Sequence, residues 1–78
     1  MVTIKFFASL REYLGRTEDR LVLDETLTVA DVWERVSAGR PVPNRTLVAV
    51  NMEYAQFNQE VADGDEVAFF PPVTGGGH

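Results

Sequence analysis

The first segment of the chain alternates between apolar and polar side chains. Val2, Ile4 and Phe6 fall on one side of an extended backbone, and this period of two predicts a half-buried strand over residues 2–8. Phe7 breaks the alternation, because it places an aromatic ring on the otherwise polar side. The first strand is therefore expected to carry an aromatic side chain on the face that should be polar.

A short helix is predicted directly after this strand. Ser9 and Glu12 have the spacing of a capping box, in which each side chain accepts a hydrogen bond from the other residue's backbone N–H. Gly15 is a typical C-terminal stop. Between these signals, three apolar side chains lie at helical spacing: Leu10, Tyr13 and Leu14. The segment is long enough for one or two helical turns.

The main helix is predicted between Thr28 and Gly39. Thr28 and Asp31 form a second start of the capping-box kind, with aspartate in place of glutamate. Four apolar residues follow the i, i+3, i+4, i+7 spacing of one helical stripe: Val29, Val32, Trp33 and Val36. Gly39 ends the helix, and Pro41 prevents its return. Such a stripe has to cover a sheet, so Trp33 is expected in the core.

Three further strands and a short extended piece follow from runs of apolar residues. The strands are predicted over residues 19–24, 46–50 and 66–70, and the extended piece near residues 54–57. In the last strand, Val67 and Phe69 share one face, whereas Ala68 and Phe70 share the other.

The order of these elements is strand, short helix, strand, long helix, strand, extended piece and strand. It predicts an α+β fold, a β-grasp (ubiquitin-like) roll in which a mixed sheet of four to five strands is packed by one main helix plus a short helix. In this roll the first and last strands are parallel neighbours at the centre of the sheet. We expect a β-grasp domain over residues 1–70 and a flexible, glycine-rich C-terminal tail over residues 71–78.

In this arrangement Phe7 and Phe70 stand side by side on the sheet face away from the helix. Two exposed aromatic rings on one face form a patch, and apolar patches usually mark a partner. The competing interpretation is that the segment from residue 51 to 57 covers both rings. The sequence favours the partner surface.

The end of the chain has the composition of an extended, slender segment that could present its C-terminus to another protein. After Phe70 no charged residue occurs before His78, two prolines stiffen the exit, and glycines follow. Six residues from Pro71 to Gly76 can reach about 20 Å when extended. Because glycine lacks a Cβ, such a tail can thread a channel too narrow for other residues. A protein that presents its terminal carboxylate to an enzyme needs this design; an ordinary flexible terminus is the alternative.

Composition narrows the possible chemistry. The 78 residues contain no cysteine and a single histidine, which excludes a disulfide scaffold, a thiol nucleophile and a histidine triad. The net charge of −5 makes nucleic acid a poor partner. The acidic turn at residues 63–66 lacks the spacing of a calcium loop, so no metal is expected. No apolar run suits a membrane helix and no signal peptide is recognisable, so we expect a cytoplasmic protein without membrane contact.

Three stretches of the sequence resemble the MoaD family, the small subunits of molybdopterin synthase. They are FFASLRE at residues 6–12, AVN at 49–51 and DGDEVAFFPPVTGG at 63–76. The last stretch is highly specific, and the similarity in length and element order covers nearly the whole chain. The resemblance implies a β-grasp sulfur carrier, the sulfur-donating subunit of a sulfurtransferase, with no catalytic residues of its own.

The resemblance also implies the chemistry of the tail. In this family an activating enzyme uses ATP to adenylate the terminal glycine carboxylate, and a sulfur donor then converts it into a thiocarboxylate. The loaded carrier donates its sulfur to cyclic pyranopterin monophosphate, and two loaded carriers build the molybdopterin dithiolene. No cofactor is expected to stay bound to the carrier, because the ATP is used by the activating enzyme.

Matching the family residue by residue assigns the tail positions. Gly76 corresponds to the residue that carries the sulfur, and Gly75, Thr74 and Val73 correspond to the part that threads the partner's channel. The family ends at the diglycine, whereas this chain continues through residues 77–78. Proteolytic removal, or an addition made for expression, is the favoured interpretation of these two residues. A natural, disabling extension is the alternative.

The family match also assigns three residues to the contact with the large subunit: Phe7, Tyr54 and Phe70. Tyr54 occupies a position where an aliphatic residue also occurs. The implied assembly is a heterotetramer of two small and two large subunits, with the activating enzyme and the sulfur donor as further partners. Two other functions stay open: a related carrier for thiamin, cysteine or tRNA thiolation, and a ubiquitin-like protein modifier.

Overall fold

The computed structural model describes residues 1–72, and its main feature is a five-stranded mixed sheet with a helix packed on one face. The strands of this part are β1 (Val2–Phe6), β2 (Glu18–Leu21), β3 (Leu27–Thr28), β4 (Leu47–Val50), β5 (Glu53–Ala55), β6 (Glu60–Val61) and β7 (Glu66–Phe70). The helices are α1 (Ser9–Leu14) and α2 (Val29–Ser37). The predicted flexible tail lies outside the described residues, apart from the half-buried Pro71 and Pro72.

The strand order in the large sheet is β2-β1-β7-β4-β5. Strands β1 and β7 run parallel and pair Phe6 with Phe69, whereas the other neighbouring pairs of this sheet are antiparallel. The first and last strands are therefore central neighbours. This topology, with α2 on one face, confirms the predicted β-grasp fold.

Helix α2 begins at the predicted capping box. The Thr28 hydroxyl accepts a hydrogen bond from the Asp31 N–H at 3.2 Å, and the Asp31 carboxylate accepts one from the Thr28 N–H at 3.0 Å. The bond from the Thr28 backbone is the main cause that lowers the pKa of the Asp31 carboxyl below its ordinary value. At the other end Ala38 adopts the left-handed cap at φ 57°, so the predicted glycine stop at Gly39 lies one residue beyond the cap.

Helix α1 starts differently from the prediction. Ser9 is the first helical residue and not the cap, and Ala8 occupies the cap position with φ 53° and no side-chain hydrogen bond. The Ser9–Glu12 capping box is therefore wrong, because the hydroxyl lies one residue too far along the helix to reach the free N–H groups. The stop is confirmed, since Gly15 adopts φ 76° and its N–H donates to the Arg11 carbonyl at 2.8 Å.

Several boundaries of the sheet also differ from the prediction. Strand β1 ends at Phe6 and not at residue 8, and the extended piece predicted near residues 54–57 is the strand β5 over Glu53–Ala55. Strand β2 pairs antiparallel with β1 as expected, but it ends at Leu21 and not at residue 24. Beyond this end Val22 is exposed and Leu23 packs against the core. The short strands β3 and β6, which pair with each other, escape sequence prediction because two residues cannot display a period of two.

The core lies between α2 and the inner face of the sheet. The predicted helical stripe is buried, and Trp33 packs edge-on against Phe69 with ring centroids 5.1 Å apart. Phe6 stacks on Phe69 at 6.2 Å. The indole N–H of Trp33 donates to the Arg40 carbonyl at 2.8 Å, so the one polar atom of this side chain is satisfied. Trp33 is confirmed as a core residue.

Candidate functional site

Within residues 1–72, no helix covers the opposite face of the sheet, and apolar side chains collect on it. We call this set the outer patch; it consists of Phe7, Ala49, Met52, Tyr54, Ala68 and Phe70. Together with Glu66 these residues line a depression of about 340 Å³. Exposed apolar groups that gather on one face of a sheet are typical of a surface that binds a partner.

The pairing of the two central strands explains why Phe7 and Phe70 meet. Phe6 and Phe69 are register partners that point into the core, so the next residue of each strand points to the other face. The ladder continues for one more hydrogen bond, from the Phe7 N–H to the Phe69 carbonyl at 3.1 Å. Phe7 is 46% exposed and Phe70 is half-buried. The predicted pair of neighbouring rings on the outer face is therefore present.

Two small residues open the depression between the larger ones. Ala49 on β4 pairs with Ala68 on β7, and both side chains point to the outer face. Tyr54 on β5 pairs with Ala49 from the other side, which places its ring 5.9 Å from that of Phe70 at an angle of 44°. Tyr54 is 73% exposed. The side chains assigned to the partner contact by resemblance thus lie in one patch.

The competing interpretation, that the segment from residue 51 to 57 covers the two rings, does not hold. Strand β5 extends the sheet beside β4 as its edge strand and does not fold over the outer face. It contributes Tyr54 to the patch. Phe57 lies on the core side instead, with its ring 6.0 Å from that of Phe69.

The hairpin between β4 and β5 is held against β7 by Asn51. Its backbone N–H donates to the Glu66 carbonyl at 2.8 Å, and its side-chain oxygen accepts from the Glu66 N–H at 3.0 Å. Its side-chain amide donates to the Asp65 carboxylate at 2.9 Å. Asp65 in turn accepts from the Ala62 N–H at 2.8 Å. These bonds fix the turn that carries Met52 at the border of the outer patch.

Charged residues border the patch on the β1–β2 side of the same face. Lys5 on β1 lies 3.9 Å from the Glu66 carboxylate, and Arg20 on β2 lies 3.4 Å from the Glu18 carboxylate. Exposed pairs of this kind add little stability. Their effect is to divide the outer face into an apolar half and a charged half.

The structure does not test the roles predicted for the tail. Gly76, Gly75, Thr74 and Val73 lie outside the described residues, so their roles stay predictions. The chain leaves β7 directly after Phe70, which places the start of the tail next to the outer patch.

Over residues 1–72, no group of three or more histidine, aspartate or glutamate side chains lies together as a metal site would require. Within the same range, neither helix has the length and apolar character needed to cross a bilayer.

Sequence reasoning missed two members of the patch, Ala49 and Met52. The sequence shows Asn51-Met52-Glu53 only as turn chemistry. The available signal is a large apolar residue at the second position of a two-residue turn, where glycine is the usual choice.

A β-grasp head with an apolar outer face next to its C-terminal exit defines the class of ubiquitin-like carriers. A crystal structure of the small archaeal modifier protein SAMP1 from Haloferax volcanii has this fold, with a TM-score of 0.79 and 30% identity, covering 96% of this chain and 98% of that one.

Within this class, the chain belongs to the ThiS family, whose model matches residues 4–76. It is 38% identical to the molybdopterin synthase sulfur carrier subunit of Escherichia coli, over 97% of this chain and 100% of the relative. It is 34% identical to the protein of the same name from Haemophilus influenzae, over 97% and 100%.

Proposed function

We propose that this chain is the sulfur-carrier subunit of molybdopterin synthase. The observation that carries the proposal is the outer patch, whose aromatic rings Phe7, Tyr54 and Phe70 surround a depression at the point where the tail begins. A rigid head that docks by such a patch delivers the tail that follows it. Family membership and the full-length similarity to sulfur carrier subunits support the same function.

The proposed reaction uses the terminal carboxylate of Gly76. A carboxylate is a poor electrophile, so the activating enzyme first joins it to AMP from ATP and releases pyrophosphate. Sulfur from the donor then displaces AMP and leaves a thiocarboxylate. The thiocarboxylate sulfur forms a bond to a side-chain carbon of cyclic pyranopterin monophosphate and displaces an oxygen substituent from that carbon. Hydrolysis of the resulting thioester returns the carboxylate and leaves the sulfur on the pterin. Two loaded carriers supply the two sulfurs of the dithiolene.

The head contributes binding and no acid–base chemistry. Docking of the outer patch on the large subunit makes the attack by the sulfur effectively intramolecular, which is a large entropic advantage. The proposed assembly contains two small and two large subunits. The carrier holds no resident cofactor, and the activating enzyme is the site of ATP use. Because adenylation consumes ATP, the proposal places the protein in the cytoplasm.

The loading reaction tests the carrier function directly. A chain that ends at Gly76 is incubated with the family's activating enzyme, ATP and a sulfur donor, and its mass is measured. We expect the mass change of one oxygen replaced by one sulfur. The matched control ends at Gly75 and should stay unloaded. Absence of the thiocarboxylate from the chain ending at Gly76 would contradict the carrier function.

Binding to the large subunit tests the role of the outer patch. Phe7→Ala should weaken the affinity about tenfold or more, because a truncated aromatic anchor at the centre of an interface is costly. Val22→Ala is the matched control, since Val22 is 65% exposed and follows β2, at the edge of the sheet opposite to β5. Isothermal titration calorimetry gives both dissociation constants. Equal affinities for the Phe7→Ala variant and the wild type would refute the patch assignment.

A second function, covalent protein modification, is favoured by one observation. The structural similarity to SAMP1, named as a modifier, extends over 96% of this chain. A modifier joins its terminal carboxyl to lysine side chains of other proteins, so the test is a search for isopeptide-linked tryptic fragments by mass spectrometry. Conjugates that form without any transfer of sulfur to a pterin would favour the modifier over the carrier.

A further inference from the structure

We infer that Met52 is a specificity-determining residue of the outer patch, which inserts into an apolar pocket of the molybdopterin synthase large subunit. The inference rests on the proposed function. The Met52 side chain is apolar but lies outside the core of its own domain, and burial against the partner would explain why it is apolar.

The backbone at Met52 is unfavourable for a residue with a side chain. Strands β4 and β5 are joined by the two residues Asn51 and Met52, with Val50 paired to Glu53. Asn51 has φ 53° and Met52 has φ 71°, so both adopt the left-handed conformation of a two-residue hairpin turn. Glycine adopts this conformation without penalty, whereas a Cβ clashes with the following carbonyl. The turn itself therefore favours glycine at position 52.

The neighbouring Asn51 also has a positive φ, but its side chain has a structural role in the turn. Asn51 tolerates a positive φ better than most residues, and its side chain makes two hydrogen bonds that tie the hairpin to β7. Met52 has an apolar side chain that is 92% exposed. Burial in the core of its own domain does not explain it.

The position of Met52 shows where its side chain can be used. It lines the same depression as Phe7, Tyr54 and Phe70, so it extends the outer patch at the tip of a hairpin whose base is fixed by Asn51. A projecting methionine on a rigid turn is an effective anchor, because its flexible and polarizable side chain adapts to the shape of a pocket. The surface is thus continuous with the one assigned to the large subunit.

Charge near the patch defines the rim of the complementary site. Glu53 follows Met52 directly, Glu66 lines the depression with Lys5 3.9 Å from its carboxylate, and the whole chain carries a net charge of −5. The partner surface that fits is an apolar pocket for Met52 bordered by basic side chains. Such complementary charges mainly raise the association rate, whereas the methionine controls the dissociation rate.

The experiment compares four chains that share the same tail: the wild type, Met52→Gly, Met52→Gln and Met52→Leu. Affinity for the large subunit is measured by calorimetry, and stability by the urea midpoint. Met52→Gly should lose affinity about tenfold or more through the lost apolar contact, while its urea midpoint is equal to or above that of the wild type. Met52→Gln keeps the backbone strain and the side-chain length but should also lose affinity. Met52→Leu should stay within about threefold of the wild type.

The outcomes separate this inference from the proposed function. If the wild type fails to bind the large subunit, the proposed function and the role of Met52 fall together. If the wild type binds and both Met52→Gly and Met52→Gln bind equally well, only the role of Met52 is wrong. A urea midpoint of Met52→Gly below that of the wild type would also overturn the inference, because Met52 would then serve the fold.

Discussion

The two faces of the central strands use the same kind of residue for opposite purposes. Phe69 and Phe70 are consecutive, yet Phe69 is 0% exposed between Phe6 and Trp33, whereas the half-buried Phe70 lies on the outer face beside Tyr54. The alternation of a strand separates them completely. The comparison teaches that an aromatic residue on the inner face serves the stability of the domain, while the proposed function assigns its neighbour on the outer face to the contact with the large subunit.

The strongest test of this comparison is the pair Phe69→Ala and Phe70→Ala. Removal of the buried Phe69 ring leaves a cavity in the core and should lower the free energy of unfolding by about 3–5 kcal/mol. Removal of the Phe70 ring should cost about 1 kcal/mol, because only part of it is shielded in the free domain. Urea denaturation followed by Trp33 fluorescence measures both.

The same two variants should rank in reverse order when binding is measured. At a temperature where both are folded, Phe70→Ala should bind the large subunit more weakly than Phe69→Ala. Equal losses of stability for the two variants would break the division between the faces. Equal affinities would leave the outer face without its assigned role.

The division between the faces is the part of the structure that the sequence predicts best. Alternation places Phe6 and Phe7 on opposite faces, and the element order brings Phe7 next to Phe70. Tyr54 enters the patch through family resemblance and not through its pattern, because a three-residue edge strand such as β5 shows little periodicity.

Local capping was less predictable, since one pattern gave two outcomes. The Thr28–Asp31 box forms, whereas the Ser9–Glu12 box does not, because α1 starts after the strained Ala8 and makes Ser9 a helical residue. The ladder of β1 continues through the Phe7 N–H and fixes where the chain can turn. Tertiary pairing therefore overrides the local signal at this helix start, which a sequence pattern cannot show.

A smaller effect on stability is expected at the Asn51 turn, which joins β4 and β5. Asn51→Gly keeps the freedom to adopt a positive φ and removes only the side-chain bonds to Asp65 and Glu66. Exposed hydrogen bonds of this kind contribute about 0.5–1.5 kcal/mol each, so stability should fall by about 1–2 kcal/mol. Thermal unfolding measures this change.

The consequence of Asn51→Gly should be local. Because the turn carries Met52 and precedes Tyr54, amide hydrogen exchange should accelerate in β5 and stay unchanged in β1. Faster exchange in β1 would show that the outer patch is not anchored independently of the core.

The smallest effect is expected at the start of α2, the helix that covers the inner face. Hydrogen bonds from Thr28, its backbone N–H first, lower the pKa of the Asp31 carboxyl from its ordinary value of 3.8. The folded state therefore favours the ionised form. The stabilisation is complete above the ordinary pKa and is lost as the pH falls through the lowered folded value.

Asp31→Asn should remove this dependence, because an amide at position 31 does not ionise. At neutral pH the variant should have a lower urea midpoint than the wild type. This difference should shrink as the pH falls below 3.8. Glu34→Gln, an exposed change on the same helix, is the control for the loss of one negative charge. Since α2 lies on the core side of the sheet and contributes no residue to the outer patch, neither variant should alter affinity for the large subunit. A loss of affinity in Asp31→Asn would mean that the two faces are coupled through the sheet and do not act separately.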